Sequence, residues 1–295
     1  MKIKSPVRLI VLIVALLVIA WMFYNFFVAL QTGETFSFWG NGGSRKGPET
    51  FVVAGVDEGG YRTDLILLCQ INRKENEVNI LQIPRDTKVT NRRNDKKINS
   101  AYYSGFEVLS KEIAQVTGVT PEHYAMVDFS GFRDIVNAVG GVTIDVPFDM
   151  VYEDPTQDLV IDLKEGRRRL NGKKAEMYMR YRQGDDGNGY ADGDMGRLSA
   201  QQELYGAVAD KLLSPLGIFR APAVFFAVKA NTETDYTTGQ IMGLMRDVLK
   251  AGKKNIYIHS LPGSGRYIGG GSYFVPDKNK VTSLMKENFI LDNEE

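Results

Sequence analysis

The sequence predicts an α/β or α+β fold: a central mixed β-sheet covered by helices, preceded by one N-terminal transmembrane helix. Three observations carry that reading. Apolar, β-branched runs of strand length alternate with stretches of helical period, as layered folds of strands and helices require. A charge-free apolar run of 22 residues, 9–30, stands ahead of them. Beyond that run the chain has roughly 250 residues, enough to bury one sizeable core.

The elements are taken in chain order. Lys2, Lys4 and Arg8 precede the apolar run and the first charge after it is Glu34, so the positive-inside bias keeps residues 1–8 in the cytoplasm and sends the rest outside. The run is too long for the core of a signal peptide and no Ala-x-Ala site comes after it, so an uncleaved signal anchor is expected in the cell membrane. Trp21, Phe23, Tyr24, Phe26 and Phe27 suit its outer interface. Residues 31–48 are rich in Thr, Gly, Ser and Asn and read as a tether. The extracytoplasmic domain is expected at 49–295. Thr50 to Val56, Leu65 to Ile71 and Val78 to Ile83 read as core strands, the last two forming a hairpin across the polar stretch 72–77. Phe106, Leu109, Ile113 and Val116 recur at helical spacing before Gly118. Tyr124 to Phe129 reads as a strand, Gly131 to Val139 as a helix stopped by Gly140 and Gly141, and Val142 to Val146 as a strand stopped by Pro147. Asp194 is a fitting N-cap for a helix to about Leu213. A further helix around Ile241 to Leu249, a strand from Ile256 to Leu261 and a last helix from Val281 to Phe289 complete the chain.

Composition removes several chemistries. Lys plus Arg and Asp plus Glu both count 36, so no overall field draws the protein to nucleic acid. A polyanion site has to be local. The single cysteine, Cys69, sits inside an apolar strand and can form neither an internal disulfide nor a thiolate metal site. His123 and His259 lack metal-ligand spacing.

Three charged constellations remain. Gly55-x-Asp57 ends one strand, and Arg62-x-Asp64 leads into the next; two residues apart in extended chain, Arg62 and Asp64 share a face. Asp57 and Asp64 are candidate cation ligands, or else part of a polar turn with a local ion pair. Pro84-Arg85-Asp86 comes directly after a buried strand: Arg85 can fork onto a phosphate and Asp86 can orient it or act as base, or the two form a surface ion pair. Arg180-x-Arg182 is followed by Asp194-x-x-Arg197 and Gln201-Gln202. If the glycine-rich stretch 184–193 folds back, these groups converge at a helix N-terminus that favours anions; otherwise they decorate a solvated helix end. Arg167 to Arg169 read as a solvated turn, and Lys97 could add one more cation.

The order of the whole set resembles the LytR-CpsA-Psr family of cell-wall ligases. Gly55 to Asp57, Arg62 to Asp64, Pro84 to Asp86, Lys97 to Tyr102, Val127 to Phe129, Gly140 to Val142, Leu170 to Gly172, Arg180 to Arg182 and Asp194 to Gln202 stand in that family's order. The resemblance implies a phosphotransferase that moves a phosphate-linked glycopolymer, of teichoic acid or capsular polysaccharide type, from polyprenyl (undecaprenyl) pyrophosphate to peptidoglycan in a Gram-positive-type wall. It implies Mg2+ or Mn2+ held by Asp57 and Asp64. It implies a pyrophosphate gripped by Arg62, Arg85, Lys97, Arg180, Arg182, Arg197 and Gln201, with Asp86, Arg85, Arg180 and Arg182 at the reacting centre. The lipid tail is expected in an apolar tunnel lined by Phe106, Phe129 and Phe132, which otherwise read as ordinary core. The sequence departs from the family's pattern in the short connection from Asp57 to Asp64, in Leu65, and in Ala200 where an arginine is common. A pyrophosphatase using water and a non-catalytic lipid-carrier binding protein are the competing readings. A transcription regulator is opposed by the zero net charge and the lack of a helix-turn-helix signature.

Overall fold

The computed structural model describes residues 47–56, 63–155, 159–184, 187–191 and 193–292, without the side chains of 64, 194, 195, 215, 216, 218 and 219. The anchor expected at 9–30, most of the tether at 31–48, and Asp57 and Arg62 lie outside the described residues. Among the described residues no helix is long and apolar enough to cross a membrane.

The first three strands are β1 (Glu49–Val56), β2 (Thr63–Asn72) and β3 (Glu77–Gln82). β2 and β3 form the expected hairpin, with Asn76 taking the left-handed conformation (φ 55°) in its turn. A 3-10 turn (Ile98–Ser104) leads into α1 (Phe106–Thr117), which Gly118 ends at φ 76°. β4 (His123–Val127) is next, then α2 (Phe129–Ala138). The strand expected to reach Phe129 stops at Val127 because Asp128 caps α2, accepting from the Gly131 backbone N–H at 2.7 Å.

β5 (Val142–Val146), β6 (Met150–Asp154), β7 (Leu159–Leu163) and β8 (Gly166–Leu170) make two short hairpin-like pairs, β5 with β8 and β6 with β7. Arg167, Arg168 and Arg169 therefore belong to a strand, not to the solvated turn expected for them, and Arg169 Nη2 donates to the Gly140 carbonyl at 2.9 Å. α3 (Gly172–Arg180) is capped by Asn171, and α4 (Asp194–Leu212) by Gly193, with Asp194 as the first helical residue instead of the expected cap. α5 (Pro215–Asn231) and β9 (Thr232–Thr234) lead to α6 (Thr238–Ala251), which is opened by a Thr237/Gln240 capping box. β10 (Ile256–Ser260), the hairpin of β11 (Gly263–Ile268) and β12 (Gly271–Pro276), and α7 (Lys278–Asn288) complete the fold.

The central sheet runs β10-β3-β2-β1-β4-β9. β1 pairs parallel with β4 and β10 parallel with β3, while β2 is antiparallel to both β1 and β3. Four strands thus point the same way and finish at one edge, and the sheet is mixed, as the sequence predicts. Period-2 alternation sends Val52, Ala54, Ile66, Leu68 and Leu81 to one face, under α1 and α7 through Leu109, Ile113, Val281 and Met285. The opposite face carries Phe51, Ile71, Val78 and Ile80 against Leu244 and Val248 of α6. A second cluster joins α2, α3, α4 and the small strands around Val136, Ile144, Tyr178 and Leu204.

That second layer is held by close helix contact. A Cβ on Gly172 would stand 2.2 Å from the Arg133 carbonyl oxygen, so only glycine lets α3 start this near α2. The Gly172 N–H donates to Asn137 Oδ1 at 2.8 Å and fixes the approach.

Gly172→Ala is expected to lower stability by about 1–3 kcal/mol, the usual scale for overpacking, measured as a shift in the denaturant midpoint. Burial pushes the Cys69 thiol up to about 12. Alkylation by iodoacetamide at about pH 8 is therefore expected to be slow in the folded protein and fast in denaturant.

Candidate functional site

Because β1, β3 and β4 are parallel, the residues at their ends emerge at the same edge of the sheet: Gly55-Val56, Pro84-Arg85-Asp86 and Val127-Asp128. Open α/β sheets bind ligands outside the carboxyl ends of their strands for this reason. β2 starts from that edge too. Gly55 lies opposite Leu65 and Val56 opposite Thr63, with a register shift between them, so the backbone of Asp64 falls at an irregularity beside the last residues of β1. In the sequence Asp57 comes directly after the last residue of β1, and Asp64 is the second residue of β2.

Above this edge lies a cavity of about 880 Å3. Its floor is the sheet face bearing Val53, Gly55, Leu65 and Leu67, and its walls are α2 (Phe129, Phe132, Ile135, Val136), α3 (Met179, Arg180), α4 (Arg197, Gln201, Tyr205, Val208) and Tyr152 and Leu159 of the β6–β7 hairpin. Arg85, Arg182, Gln183 and Asp128 complete it. Four guanidinium-bearing residues from three stretches of the sequence thus line one pocket whose remaining wall is mostly apolar.

The charged groups are positioned by specific contacts. Arg180 Nη1 donates to Glu176 Oε1 at 3.0 Å, and Arg133 Nη1 donates to the other oxygen at 2.7 Å. The Glu176 side chain is 7% exposed, so a carboxylate this buried is tolerable only because two arginines pair with it. The Arg180 guanidinium lies 4.6 Å from the centre of the Phe129 ring, a cation–π contact that fixes its plane. Gln201 bridges the layers, accepting from Gln82 Nε2 of β3 at 2.9 Å and donating to the Met179 carbonyl at 3.2 Å. Burial raises the Tyr205 hydroxyl far above the ordinary tyrosine range, while the charge of Arg197 works the other way. Tyr205 stays a neutral wall residue.

Several site residues expected from the sequence lie elsewhere. Asp86 and Lys97 do not line the cavity; Lys97 Nζ pairs with Asp86 Oδ1 at 2.8 Å on its rim, and Arg85 Nε is 3.9 Å from Asp86 Oδ2. Phe129 and Phe132 line the cavity, but Phe106 does not. Phe106 stacks on Tyr124 at 4.9 Å and packs with the core under α1, on the other side of the sheet, because residues 52 and 53 of β1 point to opposite faces. Glu176, Arg133 and Asp128 carry roles that sequence reasoning missed. For Glu176 a signal existed, its i,i+4 spacing from Arg180. Among the described residues no group of three or more His, Cys, Asp and Glu is placed to hold a metal ion.

Fold and cavity together define an α+β domain with an arginine-lined, apolar-walled pocket at the carboxyl edge of a mixed sheet. The LytR_cpsA_psr family matches residues 29–289, and the chain belongs to that family. Among its relatives is the polyisoprenyl-teichoic acid–peptidoglycan teichoic acid transferase TagV of Bacillus subtilis (strain 168), 30% identical over 76% of this chain and 58% of the relative. TagU of the same organism, with the same transferase name, is 28% identical over 83% of this chain and 78% of its own. The crystal structure of B. subtilis TagV superposes with a TM-score of 0.67 at 28% identity, covering 83% of this chain and 98% of that one. The chain thus spans less than two thirds of the full TagV sequence.

A diphosphate analogue offers a direct check of the pocket. Arg197→Ala is expected to weaken binding of inorganic pyrophosphate about tenfold or more, the scale of one lost charge-assisted contact, read by titration calorimetry.

Proposed function

We propose that this protein is a membrane-anchored phosphotransferase that moves a phosphate-linked glycopolymer from a polyprenyl pyrophosphate carrier to peptidoglycan. The observation that carries this reading is the two-natured cavity: Arg85, Arg180, Arg182 and Arg197 line it together with the apolar side chains of Val53, Leu67, Ile135, Val136 and Val208. A diphosphate esterified to an isoprenoid chain has the same two natures. The transferase names of TagV and TagU support the choice of donor and acceptor.

α4 displays the match residue by residue. Arg197, Gln201, Tyr205 and Val208 are spaced by four, four and three, so they share one helix face that passes from charged to apolar along its length. Over 11 residues that face extends ~16 Å, long enough for a head group and several isoprene units. In the chemical step an acceptor hydroxyl attacks the phosphorus that bears the glycopolymer, the bond to the bridging oxygen breaks, and polyprenyl phosphate leaves with the electron pair. Such a step asks the protein for alignment and for neutralisation of phosphate charge, which preorganised arginines provide. Asp86 on the rim, held by Lys97, accepts the hydroxyl proton in this reading.

Mg2+ or Mn2+ fits the donor set. Asp57 and Asp64 carry the hard carboxylate oxygens that these ions prefer, and in the sequence they flank the end of β1 and the start of β2. When bound, the ion supplies charge neutralisation at the pyrophosphate. The uncharged run 9–30 is the membrane anchor in this proposal, with the catalytic domain on the outer side.

The experiment is transfer of labelled polymer from a synthetic polyprenyl diphosphate donor to peptidoglycan. Label on peptidoglycan supports the transferase; label released as free polymer favours a pyrophosphatase; tight binding without turnover favours a carrier-binding protein. Arg180→Ala is expected to cost about a hundredfold or more in turnover. Glu176→Gln, which keeps the shape but removes the charge that holds Arg180, is expected to cost about tenfold with circular dichroism unchanged. EDTA is expected to stop transfer and added Mg2+ to restore it.

A further inference from the structure

Beside the cavity, outside its lining, the β11–β12 hairpin lies alongside the segment after β3. The Phe274 N–H donates to the Asp86 carbonyl at 2.9 Å and the Lys88 N–H to the Phe274 carbonyl at 2.8 Å, so Thr87 stands opposite Phe274 and both face inward, buried. Alternation then turns Lys88 and Tyr273 outward together, and Asp86, in the turn before Thr87, meets this face through its ion pair with Lys97 at 2.8 Å. Arg266 is the cross-strand partner of Tyr273 and Lys97 the partner of Lys88, which places both on that same outer face. The result is a row across four extended segments, Arg266, Tyr273, Lys88 and Lys97, with Asp86 joined to it at Lys97. Lys88 Nζ and Lys97 Nζ lie 5.9 and 5.8 Å from the centre of the Tyr273 ring. Lys88 and Arg266 are exposed, and Tyr273 is partly so.

We propose that this row is the subsite for the acceptor: a glycan strand bearing carboxylates, docked over Tyr273 between Lys88 and Arg266 so that one sugar hydroxyl reaches Asp86. The inference rests on the transferase reading and adds where the second substrate sits. Three features favour an acceptor over the polymer of the donor. The row carries three cations and one carboxylate, a net positive surface suited to an anionic strand. It includes Asp86, the one carboxylate on this row, and a molecule whose hydroxyl is to lose a proton has to come within hydrogen-bond reach of the base. It also approaches from the rim, where Arg85 connects it to the cavity through Asp86, leaving the cavity itself to the lipid and diphosphate. The partly exposed ring gives the sugar an apolar platform between charged groups.

Full-length enzyme in detergent is assayed with a short polyprenyl diphosphate disaccharide donor and soluble, uncrosslinked glycan strands carrying free peptide carboxylates. The Lys88→Ala/Arg266→Ala double variant and Tyr273→Ala are compared with wild type after a thermal melt confirms folding. The acceptor KM is expected to rise about tenfold in each variant, with the donor KM within about twofold of wild type. Strands whose carboxylates have been amidated are expected to give wild type and the double variant equal acceptor KM. An unchanged acceptor KM overturns the subsite, and so does a rise in donor KM that grows with the length of the donor's polymer, which would assign the row to the donor. Failure of wild type to transfer label to any strand sinks the transferase reading itself, a result distinct from both.

Discussion

Strand direction is the constraint on which the rest of this structure depends. β1, β3 and β4 run parallel, so every residue that leaves them does so at one edge, and motifs separated by dozens of residues in the chain become neighbours without any long-range pairing of side chains. Alternation along β1 and β2 then divides the labour between faces. Even-numbered positions such as Val52, Ile66 and Leu68 seal the core under α1 and α7, and odd-numbered positions such as Val53, Leu65 and Leu67 floor the cavity. A one-residue slip of β1 against its neighbours would exchange core for floor, which is why register here is also site geometry.

The second constraint is electrostatic. Arginines beside an apolar wall lose hydration, and the fold compensates with fixed partners. Glu176 lies between Arg180 and Arg133, Phe129 offers its ring to Arg180, and Gln201 ties α4 to both β3 and α3. The side chains that hold the guanidinium groups are thus set before any ligand arrives, so little ordering cost is left for binding. Close helix packing supports them from behind, since α3 can reach its place only because position 172 lacks a side chain.

Much of this is legible in the sequence. The β2–β3 hairpin, α1 with its glycine stop, β5, α6 and α7 all derive from apolar periodicity and punctuation, which local physics sets. The convergence of Arg85, Arg180, Arg182 and Arg197 is readable only from the order of the motifs, because nothing local announces that distant segments meet. The features that escape sequence reasoning do so for physical reasons. α3 reads Lys-Lys-Ala-Glu-Met-Tyr-Met, with polar residues where a covering helix usually has apolar ones, and Glu176 is buried by pairing instead of by hydrophobicity. The strand character of Arg167 to Arg169 is hidden by charge, since β8 buries only its last residue, Leu170. Phe106 reads as a tunnel residue because an aromatic on an amphipathic helix cannot reveal which face of the sheet it covers. β11 is glycine-rich and exposed along its whole length, so no hydrophobic pattern marks its hairpin with β12.

The chain enters the folded domain at Glu49, where Arg73 bridges Glu49 to Asp247 at 3.0 and 2.7 Å and Tyr236 donates to Glu49 at 3.0 Å. β1 begins there with β2 bonded on one side and β4 on the other. Under the anchoring proposed for residues 9–30, a pull on the chain ahead of Glu49 meets a strand bonded on both sides, in place of an edge strand that peels one bond at a time. In the proposed setting between a bilayer and a stiff wall that move relative to each other, the attachment point is then an interior strand of the sheet and not an edge.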